Sequence, residues 1–314
     1  MFNIVPVEKR ESLCYEYFNA NHIKNREQLK VSLKTNPIQG VRPKFAEDIF
    51  VDYLDKERLK AQRKAEREKA SDVHTTFTIS DIHIPFQDEK SLDLVLECIV
   101  EHQPQQLVLC GDILDCYSIS RFDKNPEHLF RNLQDEIDVF YKIMKSLKKE
   151  TPNMEVHYIL GNHEARISAV VRKEPGLFRL NGLSIPSMFR LDELDIEYHD
   201  TKYVDNGFIY YHGDVVRKSS GYSAKAEYED HRMKSGVSGH THRLSSYYST
   251  YEQQVGKWFE NGCLCNAPEY MTDPDKANWQ QGFTVVERFA DGQISASQVL
   301  IENHRFRYNG KTYK

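Results

Sequence analysis

The chain has 314 residues, 39% of them hydrophobic and 28% charged, and carries a net charge of −5 with its 13 histidines counted neutral. A mean hydropathy of −0.65 describes a polar surface around one large domain or two ordinary ones. The mildly acidic balance excludes a global attraction to nucleic acid and leaves only a local basic face for that purpose.

Residues Met1 to Val7 form a short apolar run with no basic region before it, so no signal peptide is expected. The most apolar stretch elsewhere, Leu92 to Val100, is broken by Asp93 and Glu97, and no membrane-spanning helix is expected. Cysteines 14, 98, 110, 116, 263 and 265 follow no framework spacing and should be reduced. These features predict a cytoplasmic protein without membrane contact.

Residues 1–72 read as a mostly helical extension. Asp55 to Lys69 is built from strong helix formers, with opposite charges at helical spacing such as Arg63 with Glu66 and Lys64 with Glu68. Such a segment is a solvated helix leading into the next domain; a nucleic-acid-facing helix is the sharper alternative, weakened by its interleaved acids. Asn25 to Thr35 could start a small helix pair, too little by itself for a helix-turn-helix.

From His74 onward strands and helices alternate. Thr75 to Ser80 is a short β-branched strand, Asp88 to His102 an amphipathic helix, and Leu107 to Cys110 a buried strand. Pro126 to Lys149 is predicted as a second long helix with Leu129, Leu133, Ile137, Phe140 and Met144 on one stripe, and Val156 to Leu160 as a third strand. This order argues for parallel pairing. Beyond Asp200 the chain turns β-rich, with strands expected at 207–211, 237–239, 247–251, 258–263, 283–288 and 294–300. The domain is expected over 73–303, followed by a C-terminal tail at 304–314.

Five polar clusters punctuate this pattern: Asp81-Ile82-His83, Gly111-Asp112-Ile113-Leu114-Asp115, Gly161-Asn162-His163-Glu164, His212-Gly213-Asp214 and Gly239-His240-Thr241-His242. Three sit just past the ends of consecutive strands, where open α/β sheets place their sites. Asp81 and His83, two residues apart, can turn one carboxylate and one imidazole toward the same ion, as can the imidazoles of His240 and His242. Asp112 has two oxygens to share between ions, and Asn162 offers a neutral oxygen that does not repel phosphate. Imidazole and carboxylate together suit manganese, iron, zinc or nickel rather than calcium or magnesium. Two adjacent cations are one of the few ways to make water attack a phosphate ester quickly.

The set resembles the calcineurin-like metallophosphoesterase superfamily, whose signature it matches in all five parts over about residues 76–243. The resemblance implies an α/β fold, an αββα sandwich of two mixed β-sheets flanked by helices. It places Asp81, His83 and His242 on one metal, Asn162, His212 and His240 on the other, and Asp112 between them. Two divalent transition-metal ions, manganese first among them, are implied as cofactors, with a bridging hydroxide as nucleophile. It also implies that His163 contacts the phosphate and protonates the leaving oxygen, and that Asp115 orients its imidazole. A helix N-cap is the plainer role for Asp115.

One position departs. Protein phosphatases of the calcineurin type carry an arginine directly after the second motif, where it clamps a phosphomonoester; here that residue is Cys116. Arg121, Arg166, Arg217 or Arg243 could stand in, with Arg166 best placed beside His163. The expected function is a phosphodiesterase acting on nucleotides or nucleic acid. A phosphomonoesterase is the alternative, and a non-catalytic binding protein on this fold the third reading. Cys263 and Cys265 read as packing residues, and Trp258, Trp279, Tyr203, Tyr210 and Tyr211 mostly as core, with base stacking as their alternative.

Overall fold

Short apolar strands alternating with one-sided helices can bury themselves only by stacking in layers, and the chain does so. The computed structural model describes residues 7–39, 41–70, 73–121, 132–174, 176, 177, 180–266 and 277–314. It divides into two units, Met1–Ser71 and Asp72–Lys314.

The first unit contains α1 (Val7–Ala20), α2 (Arg26–Thr35) and α3 (Pro43–Ala70). Asn25 starts α2 by accepting the Gln28 N–H at 2.9 Å, an N-cap that satisfies an otherwise orphaned donor. Leu29 and Leu33 of α2 join Cys14, Phe18, Ala46, Ile49 and Phe50 in a small core. Phe18 meets Phe50 edge-on at 4.9 Å.

The second unit opens with β1 (Val73–Ile79), α4 (Glu89–His102), β2 (Gln106–Leu109), α5 (Leu133–Glu150) and β3 (Glu155–Ile159). Then come α6 (Ala165–Lys173), the short α7 (Ile185–Met188), β4 (Ile196–His199), β5 (Lys202–Asp205) and β6 (Phe208–Tyr211). Next are α8 (Tyr222–Asp230), β7 (Gly236–Ser238), β8 (Leu244–Tyr251) and β9 (Gln254–Asn261). β10 (Gln281–Phe289), β11 (Ile294–Ile301), β12 (Phe306–Tyr308) and β13 (Lys311–Tyr313) close the chain.

Six strands form one sheet in the order β11-β10-β1-β2-β3-β4, and five form another in the order β5-β6-β7-β9-β8. β1 to β4 run parallel, while β10 and β11 extend that sheet antiparallel. Both sheets are therefore mixed. Strand alternation sorts the side chains. Leu107, Leu109, Val156 and Tyr158 pack with α4 and α5, whereas Val108, Cys110 and Ile159 meet Phe208, Tyr210, Val237 and Phe259 of the second sheet. On that sheet's other face Ile209 and Trp258 pack against Ala224 and Tyr228 of α8. The layers run helix, sheet, sheet, helix.

Several boundaries differ from expectation. The second long helix is described from Leu133, with Asn132 as its cap; Leu129 lies outside the described residues. β4, β5 and α8 escape the sequence reading because their apolar residues are few and widely spaced. Residues 304–314, expected as a tail, pair as the β12–β13 hairpin and bury Phe306 and Tyr313. Among the described residues no helix is long and apolar enough to cross a membrane.

That hairpin belongs to the core. Phe306 lies 5.4 Å from Phe283 and 4.8 Å from Tyr313, centroid to centroid. Phe306→Ala should cost about 3–5 kcal/mol. Urea unfolding should register this as a lower midpoint with an unchanged slope; an unmoved midpoint would make the hairpin an ornament.

Candidate metal centre

The five polar clusters lie where the strands end. β1 ends at Ile79, two residues before Asp81; β2 ends at Leu109 before Gly111 and Asp112; β3 ends at Ile159 before Gly161 and Asn162. His212 follows β6, and His240 and His242 follow β7. Asp81, His83, Asp112, His240 and His242 all adopt positive φ, between 51° and 70°. Left-handed backbone is costly for residues with a Cβ and concentrates where function demands it. The turns bend each side chain back over the sheet edge.

Close approach explains two of the glycines. A Cβ on Gly111 would lie 2.6 Å from His212 Nδ1, and one on Gly161 would lie 2.3 Å from Asp112 Oδ1. Larger residues at either position would push the clusters apart.

What the turns assemble is a buried group of carboxylates and imidazoles. Asp81 Oδ1 is 3.2 Å from His242 Nε2, and His242 Nε2 is 3.1 Å from His83 Nε2. Asp112 Oδ2 is 3.3 Å from His212 Nε2, 3.9 Å from His83 Nε2 and 3.8 Å from His163 Nε2. Asn162 Oδ1 is 3.0 Å from His212 Nε2. Asp81, His83 and His242 could hold one ion, and Asp112, His212 and His240 another. One Asp112 oxygen faces both groups.

The donor set suits cations. Two imidazole nitrogens 3.1 Å apart require a proton or a metal between them. The outer nitrogens are already engaged: His83 Nδ1 donates to Asp115 Oδ2 at 3.1 Å and His212 Nδ1 to the Cys110 carbonyl at 2.8 Å. That anchoring turns each Nε2 inward as the ligand atom, the arrangement usual for metal-binding histidines. Charge agrees with geometry. Burial opposes ionisation of Asp81 and Asp112, yet the facing imidazoles His242 and His212 hold both carboxyls below their usual range. Burial likewise works against His212, but Asp112 carries it up to about 10.

Beside this group stand three residues of a different kind. Asp115, buried at 1% exposure, places Oδ2 3.1 Å from Nδ1 of both His83 and His163. Its side chain is therefore no helix cap. Against the push of burial, these two imidazoles hold its carboxyl well below the usual range. His163 Nδ1 also donates to the Asp115 carbonyl at 2.9 Å. Arg166 donates from Nη1 to that carbonyl and from Nη2 to His163 Nε2, both at 2.9 Å. Of the four arginines proposed from sequence, Arg166 touches the cluster; Arg243 instead holds the Arg217 carbonyl. Cys116 is fully buried.

Three residues take places beside the site that the sequence reading did not give them. Glu164, at 0% exposure, accepts N–H groups from Asp112, Ile113, Leu114 and Gly161 and the Tyr158 hydroxyl. Cys265 Sγ lies 3.9 Å from His242 Nδ1, and the Trp279 ring sits edge-on to His242 at 4.1 Å. Glu164 closes the third motif, while Cys265 and Trp279 read from sequence mainly as packing residues. Tyr203 and Tyr210 stack within the inter-sheet layer and Trp258 is buried under α8, as core residues.

A family model described as calcineurin-like phosphoesterase matches residues 74–262, a span that holds all five clusters. The chain is 28% identical over 257 residues to the gene 54 protein of Mycobacterium phage L5, covering 75% of this chain and 97% of that protein. The gene 54 protein of Mycobacterium phage D29 matches at 28% over 256 residues, with the same coverage. Among solved structures, vacuolar protein sorting 29 from Cryptosporidium parvum aligns with a TM-score of 0.41 and 14% identity, over 76% of this chain and 94% of that one. YfcE, a phosphoesterase from E. coli, aligns with a TM-score of 0.33 and 14% identity, over 73% and 100%.

Glu164→Gln is the sharp test of the framework, because an amide NH2 cannot accept from backbone N–H groups. We expect it to lose about 3 kcal/mol or more, since buried donors are left unpaired. Metal uptake measured by elemental analysis should fall with it. Normal stability and full metal content would remove Glu164 from the framework.

Proposed function

The chain belongs to the calcineurin-like phosphoesterase family, and we propose that it hydrolyses phosphodiesters of nucleotides or nucleic acid with two divalent transition-metal ions. The observation that carries this reading is Asp112: one carboxylate oxygen within 4 Å of imidazoles from both ligand groups. We assign Asp81, His83 and His242 to one ion, Asn162, His212 and His240 to the other, and Asp112 to both. When bound, the ions would lower the pKa of water and offset charge on the phosphate oxygens.

The remaining steps fall to side chains. Asp115 and the Asp115 carbonyl hold His163 by Nδ1, which orients Nε2 toward the reacting centre. Burial disfavours a charged His163, but Asp112 and Asp115 outweigh it and raise its affinity for a proton. A proton on Nε2 is what a departing alkoxide needs. In the described geometry Nε2 accepts from Arg166 instead. An incoming phosphate, as a stronger acceptor, would draw the guanidinium away and let His163 carry that proton.

The diester preference rests on Cys116. A buried thiol stands where a phosphomonoester clamp would need a guanidinium, and a diester has one charge fewer to clamp. Arg166 favours the second reading, a phosphomonoesterase, because its fork lies beside His163. With Mn²⁺ supplied, bis(p-nitrophenyl) phosphate should turn over faster than p-nitrophenyl phosphate. The reverse order would transfer the proposal to monoesters.

A pair of substitutions separates chemistry from metal binding. His163→Ala should keep both ions while kcat falls by roughly 10²–10⁴. Asp112→Ala should instead reduce the bound metal itself. Metal content that drops equally in both would place His163 among the ligands and refute its role as acid.

A further inference from the structure

We infer that the outward face of α2 is a docking surface for the phosphate backbone of a nucleic acid. Charge is distributed unevenly along the chain. Residues 1–71 carry 15 Lys and Arg against 11 Asp and Glu, a net +4, so the remaining residues of a chain of net −5 carry −9. Within 21–44 there are six cationic residues and a single acid, Glu27.

The fold aligns the cations. Leu29 and Leu33 turn into the unit's core, which leaves Arg26, Lys30 and Lys34 as an exposed stripe one turn apart, with exposed Lys24 just before the cap. Lys44 pairs with Asp48 at 3.0 Å, whereas among the described residues Lys24, Arg26, Lys30 and Lys34 pair with no carboxylate. A rise of 1.5 Å per residue sets the three stripe cations about 12 Å apart from end to end. That length spans roughly three to four phosphates of one strand.

A polyanion of regular spacing is the partner this stripe fits. A lipid surface fits it less well, because Val31, 64% exposed, is the only outward apolar side chain of α2. An anionic headgroup layer would be met with almost nothing to insert. The inference deepens the diesterase reading, and rests on it only for the consequence that a polymer rather than a mononucleotide is brought to the metal centre.

The test uses the full chain in EDTA, so that binding is read without turnover. Fluorescence anisotropy should report binding of a labelled 20-bp DNA duplex or its RNA counterpart, weakening steeply with salt. The triple variant Arg26→Ala, Lys30→Ala, Lys34→Ala should bind more weakly, with a log–log salt slope smaller by about 2 to 3. The charge-keeping variant Arg26→Lys, Lys30→Arg, Lys34→Arg should bind as the unmodified chain does. All three positions are solvent-exposed, and circular dichroism should confirm unchanged helix content. Bis(p-nitrophenyl) phosphate hydrolysis with Mn²⁺ should be equal in all variants. Binding that is undiminished in the triple variant, or no tighter than to phosphatidylserine vesicles, would overturn the inference. Loss of diester hydrolysis by the unmodified chain alongside intact duplex binding would sink the diesterase reading and leave this one standing.

Discussion

One buried carboxylate ties the candidate centre together. Glu164 faces four backbone N–H groups from the loops after β2 and β3, and the Tyr158 phenol of β3 itself. Backbone donors turned away from water need an acceptor, and leaving them without one is costly. Here a single side chain answers for two loops at once, so neither can move independently. Burial, with the Asp112 carboxylate nearby, pushes the Glu164 carboxyl up, while the Leu114 N–H and the Tyr158 hydroxyl pull the other way. Because each of these partners donates, a proton on Glu164 would have to displace one of them. Asp112 and Asn162 owe their juxtaposition to this staple and to Gly161, whose missing Cβ lets the loops touch.

The proposed metal ligands and their supports differ in how far they can be read from sequence. Asp81, His83, Asp112, Asn162, His212, His240 and His242 sit at strand ends in fixed local spacing, so a one-dimensional pattern records them. Their supports are less legible. Asp115 stands in the second motif and is readable as orienting His163, but its second contact, to His83, and the approach of Cys265 to His242 from 23 residues away come only from how the loops pack together. The fold divides similarly. β1, β2 and β3 announce themselves as apolar runs because both faces are covered. β4 and β5 lie at sheet edges, where half the side chains meet solvent and the hydrophobic signal fades. The β12–β13 hairpin was illegible for another reason: two aromatic residues in a polar stretch carry its burial, and nothing local marks them as core.

Arg166 and Cys116 pull the substrate reading in opposite directions, and their environments explain how both fit. Cys116 is fully buried with its N–H on the Glu136 carboxylate, and its thiol offers phosphate no charged fork. Arg166 is partly exposed and bonds neutral acceptors, the Asp115 carbonyl and His163 Nε2. Its nearest carboxylate oxygen, Asp115 Oδ1, is 3.8 Å away, too far for a hydrogen bond. A guanidinium held by neutral acceptors rather than a bidentate carboxylate is readily recruited by a stronger anion. Such an arrangement offers a movable contact to a phosphate oxygen rather than a permanent clamp.

Electrostatics give the basic α2 stripe a reason to exist on this chain. A unit of net −9 repels a polyanion at long range, and a pair of divalent cations would offset less than half of that charge while acting mainly at short range. A mononucleotide, with little charge, meets a small barrier and needs no help. A polymer with a charge every few ångströms meets a large one, and a cationic surface elsewhere on the chain raises its local concentration. Three cations at helical spacing contribute a modest affinity that falls with salt. On the proposed reading, weak and salt-sensitive holding would let a polymer be captured, cut and released, because a tight grip would slow product release.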